Sequence, residues 1–159
     1  MLGSWSPNRT FWWSYRSDST RLVNHRVGYF ADIRADRLAS YTRDPYQGGC
    51  SVLTDLRATP HRLSSSCDER VTAVSPDGRR IATIHILSDG LGPNAIRVRR
   101  ASGGAALVTY QTPGWFGLIR WENDTSLLMD TYGRHQWATV RGELEHVERA
   151  SRLFDTPAI

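Results

Sequence analysis

Short runs of alternating apolar and polar residues make up most of this chain, and turn-forming residues interrupt them. Residues 95–99 place Ile96 and Val98 on one face and arginines on the other, which is typical of a half-exposed β-strand. Residues 80–87 are rich in β-branched side chains and predict another strand. No run shows the periodicity of an amphipathic helix. The pattern therefore predicts an all-β protein.

A turn between strand-like segments recurs along the chain, centred on Asn8, Asp36, Asp77 and Asp124. Asp77 follows Asp36 by 41 positions, and Asp124 follows Asp77 by 47. Both intervals match the roughly 40 to 50 residues of a four-stranded propeller blade. Asn8 precedes Asp36 by only 28 positions, so we expect the first unit to lack at least one strand.

The third turn has the clearest local chemistry. Pro76 presets its own φ, Asp77 accepts a hydrogen bond from the backbone two residues on, and Gly78 adopts the positive φ that closes a short hairpin. Asp36 and Asp124 occupy weaker versions of the same turn. We interpret the turn residues, in the first unit as in the others, as structural.

The strand pattern divides the chain into four units of one domain, 1–159. Each of the last three units predicts four antiparallel strands joined by short turns, which together make one blade. The units are 3–27, which is partial, 28–68, 70–111 and 115–150. The sequence thus predicts about three complete propeller-like blades and a partial N-terminal one.

The segment SPDG at 75–78, followed by a basic residue and an apolar strand, resembles the signature of the TolB-like, WD40-like propeller repeats of bacteria. WSPN at 5–8 is similar to a variant of that signature, and WEND at 121–124 is similar to a degenerate copy. By repeat spacing the resemblance covers residues 4–149. It implies four-stranded blades around a central axis, with proteins or small ligands bound at one end of the channel.

The same resemblance bears on the number of blades. Propellers of this kind accompany a separate catalytic domain in prolyl-oligopeptidase-like enzymes, and no such domain fits within 159 residues. Closed propellers have about four to eight blades. Because an unclosed array leaves bare strand edges, we expect a piece of a longer propeller, self-association that completes the ring, or a small four-bladed ring.

All 20 basic residues are arginine, and the net charge is +4. A local basic patch is suggested by Arg79, Arg80, Arg97, Arg99 and Arg100. It is interpreted either as a solvated blade face or as a site for an anionic partner such as nucleic acid. The 16 acidic residues are interspersed with the arginines, which argues against a continuous basic stripe and makes nucleic acid the weaker alternative.

The two cysteines, Cys50 and Cys67, fall at neighbouring strand ends of the second unit. We expect them to lie close enough for a disulfide; the alternative is a pair of buried free thiols. A disulfide would indicate an oxidising compartment, meaning the periplasm, the cell surface or the exterior, and without it we expect a cytoplasmic protein. No second cysteine pair exists to complete a zinc site.

Two aromatic pairs are candidates for partner contact: Trp12 and Trp13, and Trp115 and Phe116. One interpretation is packing between adjacent blades. The other is a hydrophobic contact surface for a partner protein.

Motifs for catalysis, cofactors and metals are missing from the sequence. Residues 90–95 formally match a dinucleotide fingerprint, but a strand follows them instead of a helix that would hold a pyrophosphate. The histidines are scattered, and no Gly-x-Ser-x-Gly elbow occurs. No apolar run approaches the roughly 18 residues that span a bilayer, and residues 1–20 carry no secretory signal. We therefore predict no catalytic residue, no cofactor and no metal site.

These observations favour a non-catalytic binding or scaffolding module, located outside the cytoplasm, whose partner is a protein or an envelope component. One alternative is an accessory propeller that serves a hydrolase domain encoded elsewhere. A weaker alternative is arginine-mediated binding of nucleic acid.

Overall fold

The computed structural model of this chain describes residues 2–5, 8–57, 61–90 and 92–155, with 2–5 described by their backbone. These residues form sixteen β-strands and one short 3₁₀ helix, Pro45–Gln47. The prediction of an all-β protein is confirmed.

The strands form four sheets that follow one another along the chain. The first sheet contains β1 (Leu2–Trp5), β2 (Arg9–Ser14) and β3 (Ser19–Asn24). The second contains β4 (Val27–Asp32), β5 (Arg37–Tyr41), β6 (Ser51–Asp55) and β7 (Arg62–Ser66). The third contains β8 (Glu69–Val74), β9 (Arg80–His85), β10 (Ala95–Arg100) and β11 (Val108–Gln111). The fourth contains β12 (Trp115–Trp121), β13 (Leu127–Tyr132), β14 (Gln136–Glu143), β15 (His146–Arg149) and β16 (Phe154–Asp155).

Within each sheet, consecutive strands pair antiparallel. The fourth sheet ends differently, because β15 and β16 both pair with β14. β13 occupies one edge of β14, so β15 and β16 share the other edge as one interrupted strand. We label the strand positions of a complete sheet A to D in chain order.

The A strands lie where successive sheets meet. β8 contacts β4 of the second sheet and β12 of the fourth, and β4 also contacts β1 and β2 of the first. Sheets that meet at their opening strands are arranged as the blades of a propeller are. The predicted three complete blades and one partial blade are confirmed.

The described part of the first sheet consists of strands B to D. β3 reaches β4 through two residues, 25–26, just as β7 reaches β8 through 67–68 and β11 reaches β12 through 112–114. In the complete blades, a linker of two or three residues thus joins the D strand to the A strand of the next blade. β3 is therefore a D strand, and β1 is a B strand.

Strand register leads to the same assignment. The A–B pairs of the complete sheets each contain a register shift, whereas their B–C pairs are regular. The pairing of β1 with β2 is regular, like a B–C pair. Asn8 thus lies in a B–C turn, while Asp36, Asp77 and Asp124 lie in A–B turns. On this assignment, the 28-residue spacing is short because it starts one strand later in the blade.

Apolar clusters fill the contacts on both sides of the third sheet. The contact with the fourth sheet is formed by Ala73, Ala82, Ile84, Ile96, Val98, Tyr110, Phe116, Leu127 and Met129. The contact with the second sheet is formed by Ala35, Ala39, Leu53, Val71, Val74, Ile81 and Ala101. The alternation of side chains along each strand sends neighbouring residues, such as Ile81 and Ala82, to opposite clusters.

The contact between the first and second sheets includes a buried polar side chain. Thr10 is fully buried, and its hydroxyl donates to the carbonyl oxygen of Arg26 at 2.8 Å and accepts from the Gly28 amide at 2.9 Å. A Cβ atom on Gly28 would lie 2.8 Å from Thr10 Oγ1 and 3.2 Å from Leu38 Cδ1. Glycine at this position therefore allows the two sheets to approach.

The part of the chain that the structure describes includes no helix with the length and apolar character of a membrane span.

Candidate functional site

The three A–B turns lie side by side at one end of the sheets, and arginines connect them. Arg37, which begins β5, donates from Nε to the carbonyl oxygen of Gly78 at 3.1 Å. Arg80, which begins β9, donates from Nη1 to the carbonyl oxygen of Asp124 at 2.9 Å. The Asp77 amide donates to the Asp124 carboxylate at 2.9 Å. Consecutive blades are thus fixed to one another through their turns.

The turn of the third blade has the hydrogen bonds that its residue types favour. Ser75 donates its hydroxyl to Asp77 Oδ1 at 2.6 Å, and the amide of Arg79, two residues on, donates to the same oxygen at 3.0 Å. Gly78 has φ +70°, and a Cβ there would lie 2.9 Å from the carbonyl oxygen of Ala35 in the neighbouring turn. Gly78 therefore serves both the chain reversal and the approach of two blades.

A groove of about 570 Å³ opens beside these turns and spans the second, third and fourth sheets. We call it the end groove. Four arginines and three leucines provide the large side chains of its lining, and the other lining residues are small. The large ones are Arg37, Arg79, Arg80, Arg100, Leu63, Leu107 and Leu144. None of the described residues that line the groove is acidic. The site therefore combines positive charge with apolar surface.

The arginines of the end groove differ in what they already bind. Arg37 pairs with Asp55 at 2.7 Å, and Arg80 donates to a turn carbonyl. Arg79 and Arg100 are exposed, and within residues 8–57, 61–90 and 92–155 neither forms an ion pair. Their guanidinium groups are thus open to an anionic ligand.

Hydrogen bonds hold the walls of the end groove in place. The Ala101 amide donates to the carbonyl oxygen of Arg79 at 2.7 Å, which joins the A–B and C–D turns of the third blade. Tyr110 donates its hydroxyl to the carbonyl oxygen of Leu144 at 3.0 Å, which joins the third blade to the fourth. The groove is therefore formed by connected turns of three blades.

A smaller cavity, of about 160 Å³, lies between the second and third sheets. Arg99 binds both carboxylate oxygens of buried Glu69, with Nε 2.8 Å from Oε2 and Nη2 2.7 Å from Oε1. Thr83 donates to Oε2 at 2.6 Å, and Arg97 lies 3.3 Å from Oε1. Four serines also line the cavity: Ser51, Ser64, Ser65 and Ser66.

The protonation of Glu69 follows from these contacts. Burial by itself would raise the pKa of this carboxyl group, but hydrogen bonds from Arg99 and Thr83 and the charges of Arg99 and Arg97 outweigh it and lower the pKa below 4.5. The carboxylate is therefore ionised and fully partnered. We interpret this network as a structural connection across the third blade.

The structure divides the basic patch that the sequence suggested. Arg97 and Arg99 lie on one face of β10 and neutralise Glu69. Arg79, Arg80 and Arg100 lie at the strand ends and line the end groove. Residue proximity along the chain therefore did not predict which arginines share a site.

Among the charged residues of these sites, sequence reasoning did not single out Arg37 and Glu69. Arg37 stands at the start of a B strand, just after a turn aspartate, and Arg80 stands at the start of the next B strand, so an alignment of the turns contains the signal. Glu69 shares one face of β8 with Val71 and, beyond the register shift in this strand, with Val74. A lone carboxylate on an otherwise apolar strand face is a recognisable sign of a buried ion pair.

The sulfurs of Cys50 and Cys67 lie 2.08 Å apart, as a disulfide. Ser51 and Ser66 pair across β6 and β7, and the two cysteines are the residues next to this pair, at the end of the two strands. The predicted pairing of the two cysteines is confirmed. The bridge lies at the opposite end of the second sheet from the A–B and C–D turns.

The aromatic residues singled out in the sequence do not form one surface. Trp12 and Trp13 are half-buried and alternate along β2 in the first sheet, whereas the other pair lies in the fourth. Phe116 is buried in the cluster between the third and fourth sheets, as expected for packing between blades. Trp115 stacks on Tyr132, with ring centroids 5.1 Å apart. A role in partner contact stays a prediction for these residues.

A row of stacked rings crosses the fourth sheet. Tyr132 stacks on Trp137 at 5.3 Å, Trp137 stacks on Phe154 at 4.6 Å, and the guanidinium of Arg152 lies 4.9 Å from the centre of the Phe154 ring. Because the ring faces cover one another, we interpret the row as a cross-strand stabilising element.

Among the described residues, no group of three or more histidine, cysteine, aspartate or glutamate side chains is placed to hold a metal ion. The absence of a catalytic site and of a cofactor stays a prediction.

Three solved structures share this arrangement of sheets. Acylaminoacyl peptidase from Pyrococcus horikoshii matches 91% of this chain over 28% of its own, with a TM-score of 0.64 and 11% identity. KlHsv2 with loop 6CD replaced by a Gly-Ser linker matches 98% of this chain over 58% of its own, with a TM-score of 0.52 and 9% identity. A protein from Bacteroides fragilis described as a 6-phosphogluconolactonase matches 87% over 46% of its own, with a TM-score of 0.50 and 13% identity.

These likenesses define the fold class, which is β-propeller-like. At identities of 9% to 13% they indicate the fold alone. The chain spans between 28% and 58% of the length of these proteins. No protein-family model matches the sequence, and no curated protein matches it.

Proposed function

We propose that this chain is a non-catalytic binding module of the propeller type, whose ligand is a protein or a component of the cell envelope. The end groove carries the proposal, because it is a concave site with available cations and exposed apolar side chains. Its walls are turns of three blades that are hydrogen-bonded to one another, so little order has to be gained on binding.

The compartment and the finer kinship belong to the same proposal. The bond between Cys50 and Cys67 supports a location outside the cytoplasm, because disulfides persist in oxidising compartments. Kinship with TolB-like repeats is supported by the SPDG motif at 75–78.

A peptide display experiment tests the binding function. Random 12-residue peptides selected on this protein are retested against Ser102→Trp, which places an indole at the rim of the end groove. The matched control is Ser17→Trp, at an exposed turn of the first sheet. We expect selected peptides to lose binding to the Ser102 variant and to keep binding to the Ser17 variant. A selection that enriches no binder, or binders that ignore the Ser102 change, would contradict the proposal.

A second candidate function is that of an accessory propeller for a hydrolase. It is favoured by the likeness to acylaminoacyl peptidase, which covers 91% of this chain. Immunoprecipitation of the native product with an antibody against this chain, followed by intact-mass measurement, tests it. A product that contains or retains a domain with a Ser-His-Asp triad supports this role. A product with no such domain and no bound hydrolase contradicts it.

A further inference from the structure

We infer that the end groove selects acidic peptide segments that carry a leucine-sized apolar side chain, and that Arg79 and Arg100 recognise the carboxylates. This inference rests on the proposed binding function and gives the chemistry of the ligand.

The positive charge of the groove is only partly balanced by its surroundings, because Asp55 pairs with Arg37 and the charge of Asp77 acts on Arg79 and Arg80. Arg80 and Arg100 stand directly opposite each other in the pairing of β9 with β10, an arrangement of like charges that is unfavourable in a sheet. Arg79 adjoins them. The Asp77 carboxylate of the same turn accepts from the Ser75 hydroxyl and from the Arg79 backbone amide. A ligand carboxylate would relieve the repulsion between these guanidinium groups and form charge-assisted hydrogen bonds with them.

The apolar part of the groove favours a ligand with an apolar side chain between its carboxylate groups. Leu107 is 39% exposed and Leu144 is 44% exposed, and both line the groove with half-buried Leu63. Leu144 has φ +49°, a conformation that a leucine rarely adopts, and the hydrogen bond from Tyr110 holds it there. A purely charged ligand would leave this apolar surface in water, whereas a leucine-sized side chain would cover it.

The same features favour a peptide over a nucleic acid. Within the described part of the chain, no residue that lines the groove is aromatic, so these residues offer no ring on which a base can stack. Its volume of about 570 Å³ lies within the range of about 300 to 1,000 Å³ that holds a compact ligand. Arg37 forms an ion pair with Asp55. The remaining arginines therefore make a short cationic site, not the extended row of cations that would contact successive phosphates.

Fluorescence polarisation with defined peptides tests the inference. The probe is fluorescein-labelled Glu-Glu-Leu-Glu-Glu. The comparison probes are Gln-Gln-Leu-Gln-Gln, Glu-Glu-Gly-Glu-Glu and a labelled 12-base-pair DNA duplex. The protein variants are Arg79→Gln and Arg100→Gln, with Arg21→Gln on exposed β3 as the matched control. Thermal unfolding of each variant checks that the fold is retained, as expected for exposed arginines.

We expect the acidic leucine peptide to bind at least tenfold more tightly than either comparison peptide. Arg79→Gln and Arg100→Gln should each weaken it about tenfold, and Arg21→Gln should leave it unchanged. Equal binding of the glutamine peptide would overturn the inference, since charge would then have no part. Equal binding of the glycine peptide or of the duplex would also overturn it, because the groove would then attract any anion.

The outcomes separate this inference from the proposed function. Display-selected peptides that are lost on Ser102→Trp but are not displaced by Glu-Glu-Leu-Glu-Glu overturn the ligand chemistry and retain the binding function. If neither the library nor the acidic peptide binds, both are overturned.

Discussion

Two contacts between neighbouring sheets can be compared directly within this chain. Between the third and fourth sheets, Ile96, Leu127 and Met129 are at most 1% exposed and pack among other apolar side chains. Between the first and second sheets, the buried residues include Thr10 and Ser40. Among the described residues, the buried atoms Trp12 Nε1, Asn24 Nδ2 and Ser40 Oγ of the first two sheets have no hydrogen-bond partner, against Trp121 Nε1 alone beside the cluster of the third and fourth sheets.

The comparison shows that one blade architecture can have contacts of unequal strength. A buried polar atom without a partner costs free energy, whereas a buried apolar side chain gains it. The first sheet also consists of three described strands, against four or more in the others. We therefore expect the first sheet to open before the third and fourth, and the following predictions test that expectation.

The largest effect is expected from Ile96→Ala in the third sheet. The substitution leaves a cavity in the apolar cluster and should lower the free energy of unfolding by about 3 to 4 kcal/mol. Leu22→Ala in the first sheet should cost less than about 0.5 kcal/mol, since that side chain is 47% exposed. Urea unfolding measures both variants. Similar losses at the two sites would contradict the comparison.

The second-largest loss in the free energy of unfolding is expected from removal of the disulfide. Replacing both Cys50 and Cys67 with serine releases a 17-residue span and should lower the free energy of unfolding by about 3 kcal/mol. Hydrogen exchange should show faster opening of β6 and β7, with β13 and β14 changed least. Equal acceleration in every sheet would argue that the blades do not unfold separately.

Glu69→Gln should cost about 2 kcal/mol, since it removes the charge from a buried carboxylate whose arginine partners are still partly in water. Because the folded-state pKa of Glu69 is lowered, its contribution is complete above pH 4.5 and is lost as the pH falls through the folded-state value. Urea unfolding between pH 3 and pH 7 should show a smaller acid-induced loss in the variant than in the wild type. An unchanged pH dependence would mean that Glu69 does not stabilise the third blade through its charge.

The smallest effect is expected at Ser40. Ser40→Ala removes a buried hydroxyl that has no partner among the described residues, so it should be neutral or stabilise by up to about 1 kcal/mol. Thr83→Val is the matched change in the third sheet, where the hydroxyl donates to Glu69, and it should destabilise by about 1 to 2 kcal/mol. Thermal unfolding of both variants measures whether each substitution stabilises or destabilises the protein. A clear loss on Ser40→Ala would show that its hydroxyl is partnered.

Much of the fold was predictable from short segments. The A–B turn at 75–79 lies where Pro76, Asp77 and Gly78 predicted it, and the cysteine pair was predicted from strand ends. WSPN at 5–8 resembles an A–B turn locally, whereas the linker length and the strand register of the first sheet favour a B–C turn for Asn8. The residue types of a turn do not indicate which two strands of the blade it connects.

The candidate site was less predictable than the strands. Five arginines close together in the sequence suggested one patch, yet the end groove takes only Arg79, Arg80 and Arg100 from it. Arg37 comes from another blade, and Leu144 comes from a turn of the fourth. A groove that draws residues from three blades depends on how the sheets are placed side by side.

The residues themselves determined where this chain extends and where it reverses, because β-branched runs and Pro, Asp and Gly turns act through neighbours in the chain. The tertiary structure alone decided which side chains meet. Whether an arginine neutralises Glu69 or remains available in the end groove depends on the face or strand end that carries it and on the blade opposite. Such partners are far apart in sequence and come together only when the apolar faces of the sheets are buried against one another.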